Sequence, residues 1–543
     1  MADDVVMLAF RMMLQALKIA YKVLKPVLLW TGLLYPFLLS FAGVLFEIDN
    51  IPVWLWVIAW VLCAYTALQN IIRLFKRDKS FKLYKIVLRG TQSRLEKRST
   101  NPRANSSLSF SEPCGVVFGR LKGKWICKPE NTDGHIVVVG GPGSGKSACV
   151  AIGSLLSWGK NNNAPIFAID IKGELQQKTR HRRPNSKVFS LTQPDGYGYN
   201  PFYLIDKNRN LVEQIKGIST ALLPIPPEEK SPFWKQNGQN FISGALLWAY
   251  KKEIPFVEIC EMIQAIPPQK LATAICEDDF KEPKLFMSQF CSMAEQTLSG
   301  IYAEVSNVIL PFATDEQLRS ALSKSRSQCI SPSDLDNGTS IYIHLEEHRL
   351  EQLRNFLTLM VNQFLKHFEQ RSEENSNRVL FLLDEFARLG KLDSILNGMA
   401  TLRSKGVTIC LIFQSLAQLD VTYGQPQRRV IIDNASYIAI LRVTDVETAK
   451  NFADMVGTYD KTKKSYSDNQ QDFKVLGSKG TSTTTEEKRI IKPEELNRLD
   501  DELILITPFG FNRIQKVYYF RDKYFQKLLN GDNSKASNGA EVI

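Results

Sequence analysis

The sequence predicts an α/β protein with a mainly parallel sheet, an all-α insertion and an N-terminal two-helix transmembrane hairpin. Three observations carry that expectation. Short apolar segments alternate with helical stretches through most of the chain, a glycine-rich loop joins one of these segments to a helix, and two long uncharged runs stand near the start. The 543 residues leave room for about three to four folding units. With 44% hydrophobic and 23% charged residues, a disordered chain is excluded and a large core is allowed.

Residues 1–26 read as a cytosolic amphipathic N-terminus and 27–75 as the membrane hairpin. Val27 to Phe46 and Ile51 to Ile72 carry no charge. A helix of ~20 residues rising 1.5 Å each spans a hydrocarbon core of ~30 Å. Trp54, Trp56 and Trp60 suit an interface, and Glu47-Ile48-Asp49-Asn50 links the runs. A cleaved leader fits poorly, because the first run is too long and lacks a small-residue cleavage site. Arg11, Lys18, Lys22 and Lys25 precede the hairpin; Arg73, Lys76, Arg77, Lys79, Lys82, Lys85 and Arg89 follow it in the basic linker 76–109. Basic flanks on both sides place both termini and the globular part in the cytosol. Of the net charge of +12, residues 1–100 hold +8, so the excess belongs to membrane topology and anionic lipid more than to nucleic acid.

The globular part is predicted over 110–206 and 326–529. Its strands are His135–Gly140, Pro165–Ile171, Lys187–Leu191, Ser340–Leu345, Val379–Leu383, Val407–Phe413 and Tyr437–Val443. Between 207 and 325 the strands cease. Leu211, Ile215, Ile218 and Leu222, and again Leu298, Ile301, Val305 and Val308, have helical spacing, which predicts the all-α insertion. Residues 459–489 are polar and read as a mobile loop, and 530–543 as a disordered tail. The nine cysteines form no CxxC pair, which argues against a disulfide scaffold or structural zinc and fits a reducing compartment.

The segment Gly140-Gly141-Pro142-Gly143-Ser144-Gly145-Lys146-Ser147 fits GxxxxGK[ST] between a strand and a helix. Glycines there let backbone N–H groups turn toward phosphate oxygens, Lys146 reaches the β- and γ-phosphates, and Ser147 can ligate Mg²⁺. ATP with Mg²⁺ is the implied ligand. Hydrolysis needs a second acidic strand end, and Val379 to Leu383 runs into Asp384-Glu385. Asp384 would hold Mg²⁺ and Glu385 would take a proton from the attacking water. Gln414, at the end of the next strand, could orient that water. Asp170-Ile171-Lys172-Gly173-Glu174 either lines the ligand edge or forms a solvated loop. An arginine supplied by a neighbouring subunit completes many such sites; Arg403, Arg388 and Arg120 are the candidates.

One pattern invites a different chemistry. His344-Leu345-Glu346-Glu347-His348 fits HxxEH, but His344 ends a strand, so the two rings would diverge instead of sharing a helix face. Trp234 reads as a core residue of the insertion, with base stacking as the other reading. Lys235, Lys251 and Lys252 are either solvated or turned toward a polyanion.

Together these residues resemble the coupling-protein ATPases of type IV secretion systems, the conjugative DNA translocases. The likeness rests on the two membrane helices, Gly140–Ser147, Asp170-Ile171-Lys172-Gly173-Glu174, Asn200-Pro201, Asp384-Glu385-Phe386-Ala387-Arg388-Leu389-Gly390, Gln414-Ser415 and Tyr423-Gly424. It implies a RecA-like motor, a hexameric ring at the bacterial inner membrane, and ATP hydrolysis that drives a DNA–protein substrate through the ring. Implied partners are a relaxase on single-stranded DNA and the secretion channel. The four-residue link between the membrane runs departs from the longer periplasmic segment common in the family. Two other readings stay open: a coupling ATPase for protein effectors only, and a membrane scaffold switched by nucleotide.

Overall fold

A computed structural model describes residues 107–530, apart from 161–162, 194, 227–228, 374–376 and 469–478. The expected amphipathic N-terminus, the membrane hairpin and most of the linker lie outside these residues, as does the tail beyond 530. No described helix is long and apolar enough to cross a membrane.

The parallel strands form where the chain offers short apolar runs bounded by turns. These are β4 (His135–Val139), β5 (Ile166–Asp170), β6 (Ser186–Ser190), β7 (Ser340–His344), β8 (Val379–Leu383), β9 (Val407–Phe413) and β10 (Ala435–Ile440). Every residue of β4, β5, β8 and β9 is buried, as a strand covered on both faces requires. Five further strands extend the sheet antiparallel: β1 (Ser109–Phe110), β2 (Val116–Leu121), β3 (Lys124–Lys128), β13 (Glu502–Thr507) and β14 (Gly510–Gln515). The twelve-stranded order is β1-β3-β2-β14-β13-β10-β4-β9-β8-β5-β7-β6. The sheet is thus mainly parallel, with an antiparallel wing that the strand pattern of the sequence does not announce.

The two sheet faces bury alternate residues. Val137 and Val139 of β4 join one core, Ile136 and Val138 the other. Between Leu211–Leu222 and Glu316–Leu322 every described element is a helix, the longest being Phe233–Lys251 and Glu295–Thr314. These helices share the first core without a break: Phe256 packs edge-on against Phe202 and Phe312, and Phe312 against Phe356. Asn200 closes the insertion at its base, donating to the Leu322 carbonyl at 2.9 Å and accepting from Phe202 N–H at 3.0 Å.

Two expectations are corrected. The polar stretch 459–489 pairs as an antiparallel ribbon of β11 (Thr458–Asp468) and β12 (Lys479–Arg489), since its β-branched threonines favour extended backbone even without an apolar face. Trp234 is 37% exposed: it packs edge-on against exposed Phe233, with its ring over Gly300. Lys235, Lys251 and Lys252 each meet an acid, Glu229, Glu282 and Asp278 respectively, at 2.6–2.8 Å.

Candidate active site

The strand order decides which residues meet. β9 lies between β4 and β8, so three adjacent parallel strands deliver the glycine-rich loop, Gln414 and the Asp384-Glu385 pair to one sheet edge. Gly145 has φ +95°, and a Cβ there would stand 2.8 Å from the Cys149 sulfur. A Cβ on Gly140 would stand 2.5 Å from the Ser144 hydroxyl. The loop can therefore close tightly only with glycine at both places. It runs into a π-helical turn, Lys146–Ala151, that continues as the helix Ile152–Ser157.

Lys146 folds over its own loop and donates to the carbonyls of Gly140 (2.8 Å) and Gly141 (3.4 Å). Burial holds its pKa below the ordinary lysine value, against the opposing pull of Glu385 and Asp384. Ser147 Oγ lies 3.4 Å from Asp384 Oδ2. These facing hard oxygens fit a Mg²⁺ ion, which takes few protein ligands and fills its shell with water and phosphate. Asp384 is 2% exposed, and burial, reinforced by the charge of Glu385, pushes its pKa up to about 6.

Glu385 is 4% exposed and sits at φ 50°, in the left-handed region that a non-glycine residue enters at a cost of about 1–3 kcal/mol. Its carboxylate accepts from Gln414 Nε2 at 3.1 Å and pairs with Lys172 at 3.3 Å. The loop beyond it is braced by Tyr423, which stacks on Phe386 and whose hydroxyl accepts from Leu392 N–H at 3.0 Å. Asp170 is fully buried, accepts from Gln176 N–H at 2.8 Å and is pushed up by that burial. Of the segment 170–174, Asp170 thus holds the helix Glu174–Thr179, while Lys172 reaches the site.

The structure does not bring the three candidate arginines onto the phosphate loop of their own chain. Arg120 pairs with Asp522 at 3.2 Å and lies over the Trp125 ring. Arg388 turns to Glu347. Arg403 is exposed and precedes β9, at the sheet edge opposite the loop. His344 Nδ1 is engaged with the Asp170 carbonyl, whereas His348 belongs to the turn Glu347–Arg349 and pairs with Glu346. One cation escaped the sequence reading. Arg442, just past β10, accepts from Gly141 N–H through its carbonyl at 2.8 Å and donates to Pro142 O at 3.4 Å. Only the adjacency of β10 and β4 brings it there, and no local pattern signals that.

A cavity of about 1570 Å³ lies elsewhere, between the helices Leu211–Leu222 and Arg354–Glu369. None of the loop or carboxylate residues lines it.

Comparison with known proteins points the same way. Residues 92–539 match the family described as Type IV secretory system Conjugative DNA transfer. Protein VirD4 of Rhizobium radiobacter is 24% identical over 440 residues, 77% of this chain and 62% of the relative. The conjugal transfer protein TraG of Agrobacterium fabrum is 26% identical over 404 residues, 69% of this chain and 58% of the relative. The chain therefore spans less than two thirds of the length of these relatives. Among solved structures, the unbound bacterial conjugative coupling protein TrwB superposes with a TM-score of 0.59 at 17% identity, covering 76% of this chain and 90% of TrwB. TrwB in complex with ADP and Mg²⁺ gives 0.56 at 16% identity, covering 78% and 93%. At such identities the likeness is one of fold.

Proposed function

This chain belongs to the type IV secretory system conjugative DNA transfer family, and from that premise we propose that it is a membrane-anchored, hexameric ATPase that couples a DNA–protein substrate to a type IV secretion channel. One observation carries the reading. A phosphate loop with Lys146 and Ser147 faces Asp384 across 3.4 Å, while Glu385 and Gln414 stand together on the same sheet edge. A loop and a metal carboxylate suffice to bind nucleotide. A buried glutamate beside them, held by an amide, adds the base that hydrolysis requires.

The roles follow from position. Lys146, Arg442 and the loop N–H groups bind phosphate, and Ser147 and Asp384 would hold Mg²⁺, which when bound neutralises charge on the phosphates. Glu385 takes the proton of the attacking water, and Gln414 keeps Glu385 aimed. Anchoring at a bacterial inner membrane rests on the uncharged runs within 27–75 and their basic flanks. The hexamer, the relaxase, the DNA and the channel rest on the family.

In the full-length chain, Glu385→Gln should keep ATP binding and lose hydrolysis by about a hundredfold or more. Unchanged turnover would remove the catalytic assignment and favour the nucleotide-switched scaffold. Stimulation of ATPase activity by single- or double-stranded DNA at low salt tests the cargo. Its absence would favour protein effectors.

A further inference from the structure

The antiparallel wing builds a second cavity, and that cavity adjoins the phosphate loop. It has a volume of about 600 Å³ and lies between the segments around Asp500 and Tyr518, on either side of β13 and β14. Three contacts tie it to the loop. The Tyr518 ring comes within 3.2 Å of where a Cβ of Gly145 would stand. Tyr519 N–H donates to the Ala148 carbonyl at 3.2 Å, on the turn that follows Ser147. Arg442 spans the gap, with Pro142 O at 3.4 Å on one side and Asp500 at 3.8 Å on the other.

A triphosphate lying in the loop must send its nucleoside to one side. Toward β9 and β8 that side is filled by Gln414, Glu385 and Asp384, which the terminal phosphate needs. Toward β10, β13 and β14 lies this cavity, which no residue of Gly140–Ser147 lines but whose wall includes Tyr518, the neighbour of Gly145, and whose size falls in the range of small-ligand pockets. Tyr518 offers a ring to the cavity and is backed by the Arg521 guanidinium at 5.0 Å. Arg120 forms part of the wall, held there by Asp522.

We propose that this cavity seats the nucleoside of the bound triphosphate, with Tyr518 as the surface on which the base stacks. The proposal rests on the nucleotide-site reading above and assigns a role to the antiparallel wing of the sheet.

The test compares two ligands by calorimetric titration of the full-length chain in the presence of Mg²⁺: ATP, and inorganic tripolyphosphate, which has no nucleoside. Tyr518→Ala should weaken ATP by about tenfold or more, the worth of one base–aromatic stack. It should leave tripolyphosphate within about twofold of the unsubstituted chain, and Tyr518→Phe should restore ATP binding. Equal weakening of both ligands would show that Tyr518 only braces the loop, and would overturn the proposal. Unchanged ATP affinity in Tyr518→Ala would overturn it as well. If the unsubstituted chain bound neither ligand, the nucleotide reading itself would fall, an outcome distinct from both.

Discussion

Asp384 combines two demands that conflict. It must be a carboxylate to hold a divalent cation, yet it is buried beside Glu385, and its pKa rises to about 6. Between its ordinary value and pH 6 the folded chain binds a proton that the unfolded chain releases. Without metal, stability therefore falls as pH rises through that window and stays lowered above it. The cost is of order 2–3 kcal/mol at neutral pH, which a bound cation offsets. Two outcomes follow. Mg²⁺-dependent nucleotide affinity should drop by up to about tenfold per pH unit below 6, read by Mg²⁺ titration at pH 7.5, 6 and 5; a flat profile would refute this. Asp384→Asn should raise the melting temperature of the metal-free chain at pH 7.5 and remove the Mg²⁺ dependence. Glu385 shows a related feature: its left-handed backbone, braced through Phe386 and Tyr423, stores strain where the proposed hydrolysis needs a fixed carboxylate.

At the scale of elements, the N-terminal edge of the sheet is held by groups remote from the site. Lys128 at the end of β3 is fully buried and donates to Thr408 Oγ1 at 3.0 Å, and His135 Nδ1 accepts from Ile409 N–H at 3.0 Å. Burial, reinforced by Arg378, pushes Lys128 down to about 7. From there to the ordinary lysine value the unfolded chain binds the proton that the folded chain lacks, so stability should rise with pH across that span. Melting curves at pH 7 and 9 should show a gain of a few °C that Lys128→Met abolishes; an equal gain in both would discard the account. The ribbon β11–β12 forms a sheet of its own, tied to the body by Arg489 and Asp454. Replacing 461–486 by a short turn should leave the melting temperature within about 2 °C. The same elements show what the sequence could display. The parallel strands are legible because a strand buried on both faces is an unbroken apolar run, as in Val379-Leu380-Phe381-Leu382-Leu383. β3 (Lys-Trp-Ile-Cys-Lys) has only three apolar residues between its lysines, and β14 (Gly-Phe-Asn-Arg-Ile-Gln) is interrupted by polar and charged residues, so both pass for loop. Gly140–Ser147, Asp384 and Glu385 could be found because each sits at the end of a legible strand. Arg442 and Tyr518 could not, because their nearness to the loop depends on the order of strands in the sheet.

For the whole molecule, the location of positive charge separates anchoring from chemistry. Residues 1–100 carry +8 of the +12, while Lys235, Lys251 and Lys252 of the insertion are already paired with acids. At the site, Lys146, Lys172 and Arg442 come from the chain's own fold, and Arg403 stands exposed at the opposite sheet edge. A residue that cannot reach its own site, yet is presented outward, is suited to serve a neighbour in a ring. Mixing experiments decide this directly. Arg403→Ala keeps Glu385 but offers no arginine, and Glu385→Gln offers the arginine but has no base. Each should be nearly inactive alone. Where an Arg403→Ala chain is followed by a Glu385→Gln neighbour, one complete site forms, so an equal mixture that assembles at random should recover about a quarter of the activity of the unsubstituted chain. No recovery, with both variants assembled and binding ATP, would remove Arg403 from the active site. The same pairing with Arg388→Ala or Arg120→Ala then tests the remaining candidates, and Arg120, committed to Asp522 and the wall of the nucleoside cavity, should fail to complement.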